Sequence, residues 1–157
     1  MQWSRQHGLG AAVLLVVILF AILIQKGLWK GGFFHEGRFN DFRAYDLAAR
    51  GIWERDLIPS YRDEKRPNLY PPTFAILVAP LGLLPPKTAL LAWVLLNVCI
   101  ALYIFRRLGA ILAVPLTVPA RVAGFLLVYR LLESDFSNGN ANVLVLGLIL
   151  GAFDWAR

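Results

Sequence analysis

The sequence predicts an all-α integral membrane protein, and three observations carry that expectation. Of its 157 residues, 58% are hydrophobic and 17% charged, with a mean hydropathy of +0.59. Soluble domains run nearer to about 45–50% and about 25%. The apolar residues gather in long runs, and the first, Gly8 to Ile24, holds no charge. The charges lie at the ends of such runs or in one polar stretch, Lys30 to Tyr70. Backbone groups in lipid must be paired within their own segment, so spans of this kind are helices.

The first helix is expected over 8–29, close to the roughly 20 residues a bilayer core requires. Trp3 and Trp29 bracket it as interface anchors. Arg5 precedes the apolar core as in a signal peptide. That core is long, however, and ends Ile22-Leu23-Ile24-Gln25-Lys26 with no small-x-small cleavage pattern, which reads as an uncleaved anchor. An outer loop over 30–72 follows. Within it Phe42, Tyr45, Ala49, Ile52 and Trp53 recur at steps of three and four, opposite Arg43, Asp46, Arg50 and Glu54. This spacing predicts an amphipathic surface helix over 41–55, with Asn40 as its N-cap. Such a helix lies flat on the membrane, apolar side down; a small cap helix is the alternative.

Tyr70-Pro71-Pro72 sets an extended approach to an apolar stretch, 73–84. That stretch is short for a span and suits a re-entrant or tilted interfacial helix. Further helices are expected over 88–105, stopped by Arg106 and Arg107; over 119–132, opened by Pro119; and over 141–156. Leu108 to Val118 reads as a loose link and Ser134 to Asn140 as a polar turn.

The net charge of +6 is unevenly placed, because the 30–72 loop holds eight Lys or Arg against seven Asp or Glu. The surplus sits near the ends of apolar runs. This marks a cytoplasmic side and argues against a nucleic-acid partner. If 73–84 does not cross, Arg5, Arg106, Arg107, Arg121 and Arg157 share one side, and the loop and the Asn138–Asn142 turn share the other. The positive-inside rule favours this arrangement. The expectation is a single membrane domain over 1–157, with about four transmembrane helices and one re-entrant element. It is multi-pass in the plasma membrane, with the loop outside.

Few residues are equipped for chemistry. Cys99 is the sole cysteine and lies in an apolar run, which reads as a core thiol. With only His7 and His35 as histidines, no metal site is expected. Walker, GxGxxG, HExxH and GxSxG patterns are absent, and no cofactor is expected. Asp41 stands where the loop turns into the surface helix, within reach of a substrate hydroxyl, and is a candidate general base. The plainer account is an acidic residue favoured in the first turn of a helix. No capping box supports that account, since neither Arg43 nor Ala44 is Glu or Gln. His35, Arg38 and Arg43 flank Asp41 and suit a phosphate at the bilayer surface; contact with lipid headgroups, or pairing with Glu36 and Asp46, competes. Arg130, Glu133 and Asp135 close a membrane helix, with the first two spaced to pair. Ionisable groups at such depth are functional candidates, and snorkelling of Arg130 is the alternative.

Three stretches, taken in order, resemble glycosyltransferase family 87, multi-span GT-C-type enzymes typified by polyprenyl-phosphate-mannose-dependent mannosyltransferases. Asn40 to Arg50, reading Asn-Asp-Phe-Arg-Ala-Tyr-Asp-Leu-Ala-Ala-Arg, looks like the family's Asp-Phe-x-x-Tyr-x-x-Ala motif. Tyr70-Pro71-Pro72-Thr73-Phe74, continuing through Pro85 to Trp93 and Asn97, is the most specific of the three. Asn138-Gly139-Asn140-Ala141-Asn142 stands where the family usually has Gly-Gln-x-Asn, so Asn140 replaces a longer amide. The resemblance implies transfer of a hexose, often mannose, from a polyprenyl-phosphate sugar to a hydroxyl of a lipid-linked or exported acceptor. It implies Asp41 as base, with His35, Arg38, Arg43, Tyr45, Tyr70, Asn140 and Asn142 as substrate-binding residues. Sugar donor, acceptor and membrane lipids are the partners.

Family members run to several hundred residues, with more spans after the Asn turn. The resemblance therefore implies a missing C-terminal portion or a second chain that supplies it. A non-catalytic subunit or truncated remnant is the alternative reading. A transporter is disfavoured, because the spans carry little charge beyond Arg130.

Overall fold

A computed structural model describes residues 2–34, 41–56, 70–111 and 117–156. Every regular element among them is helical. Helix α1, Gln2–Lys30, follows from the unbroken apolar run, and its apolar part from Gly10 to Lys30 is long enough to cross a membrane. It packs mainly against the fifth helix, with Leu23 fully buried and Phe20 stacked on Phe125 at 5.3 Å.

Helix α2, Phe42–Glu54, has the predicted periodicity. Most of its apolar face is covered by protein. Phe42, Ala44, Tyr45, Ala48 and Ala49 are buried against the chain's own short helical segment, which makes α2 a cap on the rest of the protein. A helix covers its apolar stripe with whatever complementary surface is nearest, and here that surface is the Tyr-Pro-Pro segment. Trp53 keeps 53% exposure while its indole N–H donates to the Ala79 carbonyl at 2.7 Å. Asp41 stands at the N-cap position of α2 without a side-chain capping bond; Asn40 lies outside the described residues.

After extended Pro71, helix α3, Pro72–Val78, starts with proline at its first position, where no N–H is needed. Pro80 has no N–H to continue an α-helix, and the chain tightens into a 3-10 segment over Ala79–Leu83. Leu84, ahead of Pro85, is extended. Together α3 and the 3-10 segment span roughly 20 Å, short of a bilayer core. Arg50 of α2 clamps this segment. Its guanidinium forks onto Asp46 at 3.0 and 3.1 Å and donates to the Leu84 carbonyl at 2.8 Å. Gly82 lies directly on α2: an added Cβ would meet the Ala49 backbone at 2.6 Å.

Helix α4, Pro86–Ile111, is the second helix long and apolar enough to cross. It runs on through Arg106 and Arg107, which were expected to stop it. Arginine is a good helix former, so the pair marks a polar boundary and not the helix end. Helix α5, Val118–Asn138, opens with Thr117 accepting from the Ala120 N–H. It extends six residues past the expected Leu132, through the polar Ser134–Asn138 stretch. Phe136 and Ser137 are buried there, and the stop falls at Gly139, in the left-handed region at φ 69°. Helix α6, Asn142–Trp155, turns back at 116° from α5. At 14 residues it is about 21 Å long. The described helices therefore give two crossings, or three if the bent α5–α6 pair counts as one; the expected four depend on α5 and α6 crossing separately.

Candidate functional site

Two groups of contacts mark opposite ends of the helices. At one end Arg107 forks onto Asp154 at 2.6 and 2.8 Å, joined by the Tyr103 hydroxyl. This ties the end of α4 to the end of α6. At the other end Lys26 and Arg130 both pair with Glu133, joining α1 to α5. The Arg130–Glu133 pair was expected from spacing; Lys26 was not.

The candidate site lies at this second end. The backbone N–H of Asp41 donates to the Asn138 carbonyl at 2.7 Å. A main-chain bond thus joins the start of α2 to the turn that closes α5, across almost a hundred residues of sequence. Gly139 lets the chain reverse, after which the Asn140 N–H returns to the Asp135 carbonyl at 3.0 Å. The Asp135 side chain organises the turn: its Oδ1 accepts from Asn140 Nδ2 at 3.3 Å and Asn142 Nδ2 at 2.9 Å. Each amide spends one N–H on Asp135 and keeps its second N–H and its carbonyl oxygen for other partners.

Aromatic rings fix the loop side of the site. Tyr45 is only 3% exposed. Its ring meets Tyr70 at 5.5 Å, Phe74 at 5.1 Å and Trp93 at 5.3 Å, and Tyr70 stacks on Phe74 at 4.5 Å. These contacts join α2, α3 and α4. Burial first, and then the neighbouring Tyr70 hydroxyl and the Asp41 carboxylate, push the Tyr45 phenol far above the usual tyrosine range. The Ala141 backbone, hydrogen-bonded to the same hydroxyl, pulls weakly the other way. Tyr45 is therefore a neutral hydrogen-bonding group that holds Tyr70 and the Asn turn together.

The structure brings together Asp41, Tyr45, Tyr70, Asn140 and Asn142, from three separate stretches of sequence. Tyr45 is buried, whereas Tyr70 and Asp41 are half-buried. Arg43 is exposed on the outer face of α2. His35 and Arg38 lie outside the described residues. Asp135 was grouped by sequence with Arg130 and Glu133; its real partners are five and seven residues ahead, past a glycine. That Asp-x-x-x-Gly-Asn-x-Asn spacing was the available signal. Among the described residues no group of three or more His, Cys, Asp or Glu is placed to hold a metal ion.

No curated protein and no solved structure matches the chain. Residues 68–157 match glycosyltransferase family 87. The match takes in Tyr70-Pro71-Pro72, Trp93, Asn97 and the whole Asn138–Asn142 turn, and begins downstream of Asp41. More than half of the sequence is covered, including the turn on which the Asp41 backbone is fastened, and the chain accordingly belongs to glycosyltransferase family 87.

Proposed function

We propose that this glycosyltransferase moves a hexose, mannose foremost, from a polyprenyl-phosphate sugar to a hydroxyl of a lipid-linked or exported acceptor. The reaction takes place at the outer face of the plasma membrane, and Asp41 is its base. One observation supports this reading above the others: the Asp41 N–H bond to Asn138, at 2.7 Å, brings a loop carboxylate to the turn that the family match contains. In a single displacement the acceptor oxygen attacks the anomeric carbon and gives its proton to Asp41. The bond from that carbon to the phosphate oxygen breaks, its electron pair leaves with the lipid phosphate, and the anomeric configuration inverts. Cations stabilise the departing phosphate, a role that falls to His35, Arg38 and Arg43. Tyr70, Asn140 and Asn142 offer neutral groups that suit sugar hydroxyls.

The test is Asp41→Asn in membranes of cells that express the chain in its native genetic context, with consumption of lipid-linked sugar as the readout. Loss of a general base lowers turnover by about 10²–10⁴-fold. The backbone bond to Asn138 survives this change, so the fold is retained. Turnover equal to the parent would remove Asp41 as the base.

A further inference from the structure

Asn97 lies midway along α4 and is 4% exposed. Its Nδ2 donates to the Trp93 carbonyl, one turn earlier, at 2.9 Å. Because a carbonyl can only accept, this bond fixes the amide orientation and turns Oδ1 the other way. Among the described residues no donor reaches that oxygen. An amide oxygen buried within a membrane-crossing helix has no bulk water to turn to, and leaving it unpaired is costly. Native structures resolve such groups with a protein donor or an ordered water.

Asn97 lines a cavity of about 10 Å³, walled by Trp93, Asp135, Phe136, Gly139 and Asn140. The volume corresponds to about one water molecule and excludes a sugar ring. Asn97 of α4, Asp135 of α5, and Gly139 and Asn140 of the turn all line the cavity. A water seated there donates one hydrogen to Asn97 Oδ1 and the other to the Asp135 carboxylate, two of the partners a buried water requires.

We propose that Asn97 and Asp135 form a binding site for a single structural water, which fastens the middle of α4 to the Asn138–Asn142 turn. Asn97 is thereby a positioning residue: it acts on Asp135, which holds Asn140 and Asn142, next to the carbonyl that receives the Asp41 N–H. This bridge is independent of which sugar or acceptor the protein uses.

Two measurements test it. The first is a structure of the unmodified protein in lipid nanodiscs, at a resolution that shows waters. Solvent density is expected within roughly 3.2 Å of both Asn97 Oδ1 and the Asp135 carboxylate. Well-ordered side chains with no density between them would overturn the bridge, and this arm needs no variant to fold. The second is hydrogen exchange at the Gly139–Asn142 amides. In Asn97→Leu, which keeps the branched shape and removes the polar atoms, exchange is expected to accelerate about tenfold. In Asn97→Gln, which keeps an amide donor and an amide acceptor, it is expected to stay nearer the parent rate. Unchanged exchange in the leucine variant sinks the proposal. So does equal acceleration in both variants, which would assign the effect to packing.

Discussion

The two ends of the helical assembly are held in different ways. The Arg107–Asp154 end is a charge latch between two helix termini, with side chains 41% and 22% exposed. The Asp41 end rests on a main-chain hydrogen bond, buried aromatic rings and amides gathered on one carboxylate. Exposed ion pairs tolerate movement and lose strength in salt. Tyr45, Phe74 and Trp93 are buried and packed on one another, so this end holds its geometry. The contrast shows which end is built for placement and which for cohesion.

Substitutions can press on that contrast. Gly82→Ala is expected to have the largest effect on stability, because the new Cβ would overlap the Ala49 backbone, which cannot rotate away. Overpacking of this kind costs about 3 kcal/mol; thermal unfolding in nanodiscs should show it, with α2 released first. Gly139→Ala comes next, since a side chain at φ 69° costs roughly 1–2 kcal/mol, and hydrogen exchange of the turn should rise. A stable Gly139→Ala protein with unaltered exchange would mean the turn does not depend on its glycine.

Tyr45→Phe removes a hydroxyl bonded to Tyr70 and should cost about 1 kcal/mol. It carries a pH signature as well. The folded-state value is raised, so the stabilisation is complete below the ordinary tyrosine value of about 10 and falls as pH climbs above it. Stability curves of parent and variant should therefore converge in alkaline solution; parallel curves would remove Tyr45 from the site's support. The smallest effect is expected for Asp154→Asn, a slight loss of thermal stability that shrinks further in high salt.

The sequence made much of the site legible. Tyr-Pro-Pro announced the extended entry at Pro71 and a short helical stretch after it, but not the change to a 3-10 segment at Ala79. The charge pattern put the loop and the Asn turn on one side, and the Asp41–Asn138 bond joins the two. Local patterns misled where tertiary contacts decide. Ser134 to Asn138 are polar and resemble a turn, yet they continue α5 because Phe136 and Ser137 are buried. The apolar face of α2 looked ready for lipid, but periodicity cannot say whether lipid or protein covers it. Lys26 and Glu133 pair across 107 positions, beyond the reach of any spacing rule. Asn97 sits in a recognisable pattern, but its unpaired oxygen exists only once α4 and α5 have packed.

The bond between Asp41 and Asn138 is made by main-chain atoms at both ends. Scanning mutagenesis reads side chains and will score this clasp as silent at either position, with proline at residue 41 as the exception, since it removes the N–H. Any other substitution at residue 41 or 138 keeps the N–H and the carbonyl that make the clasp.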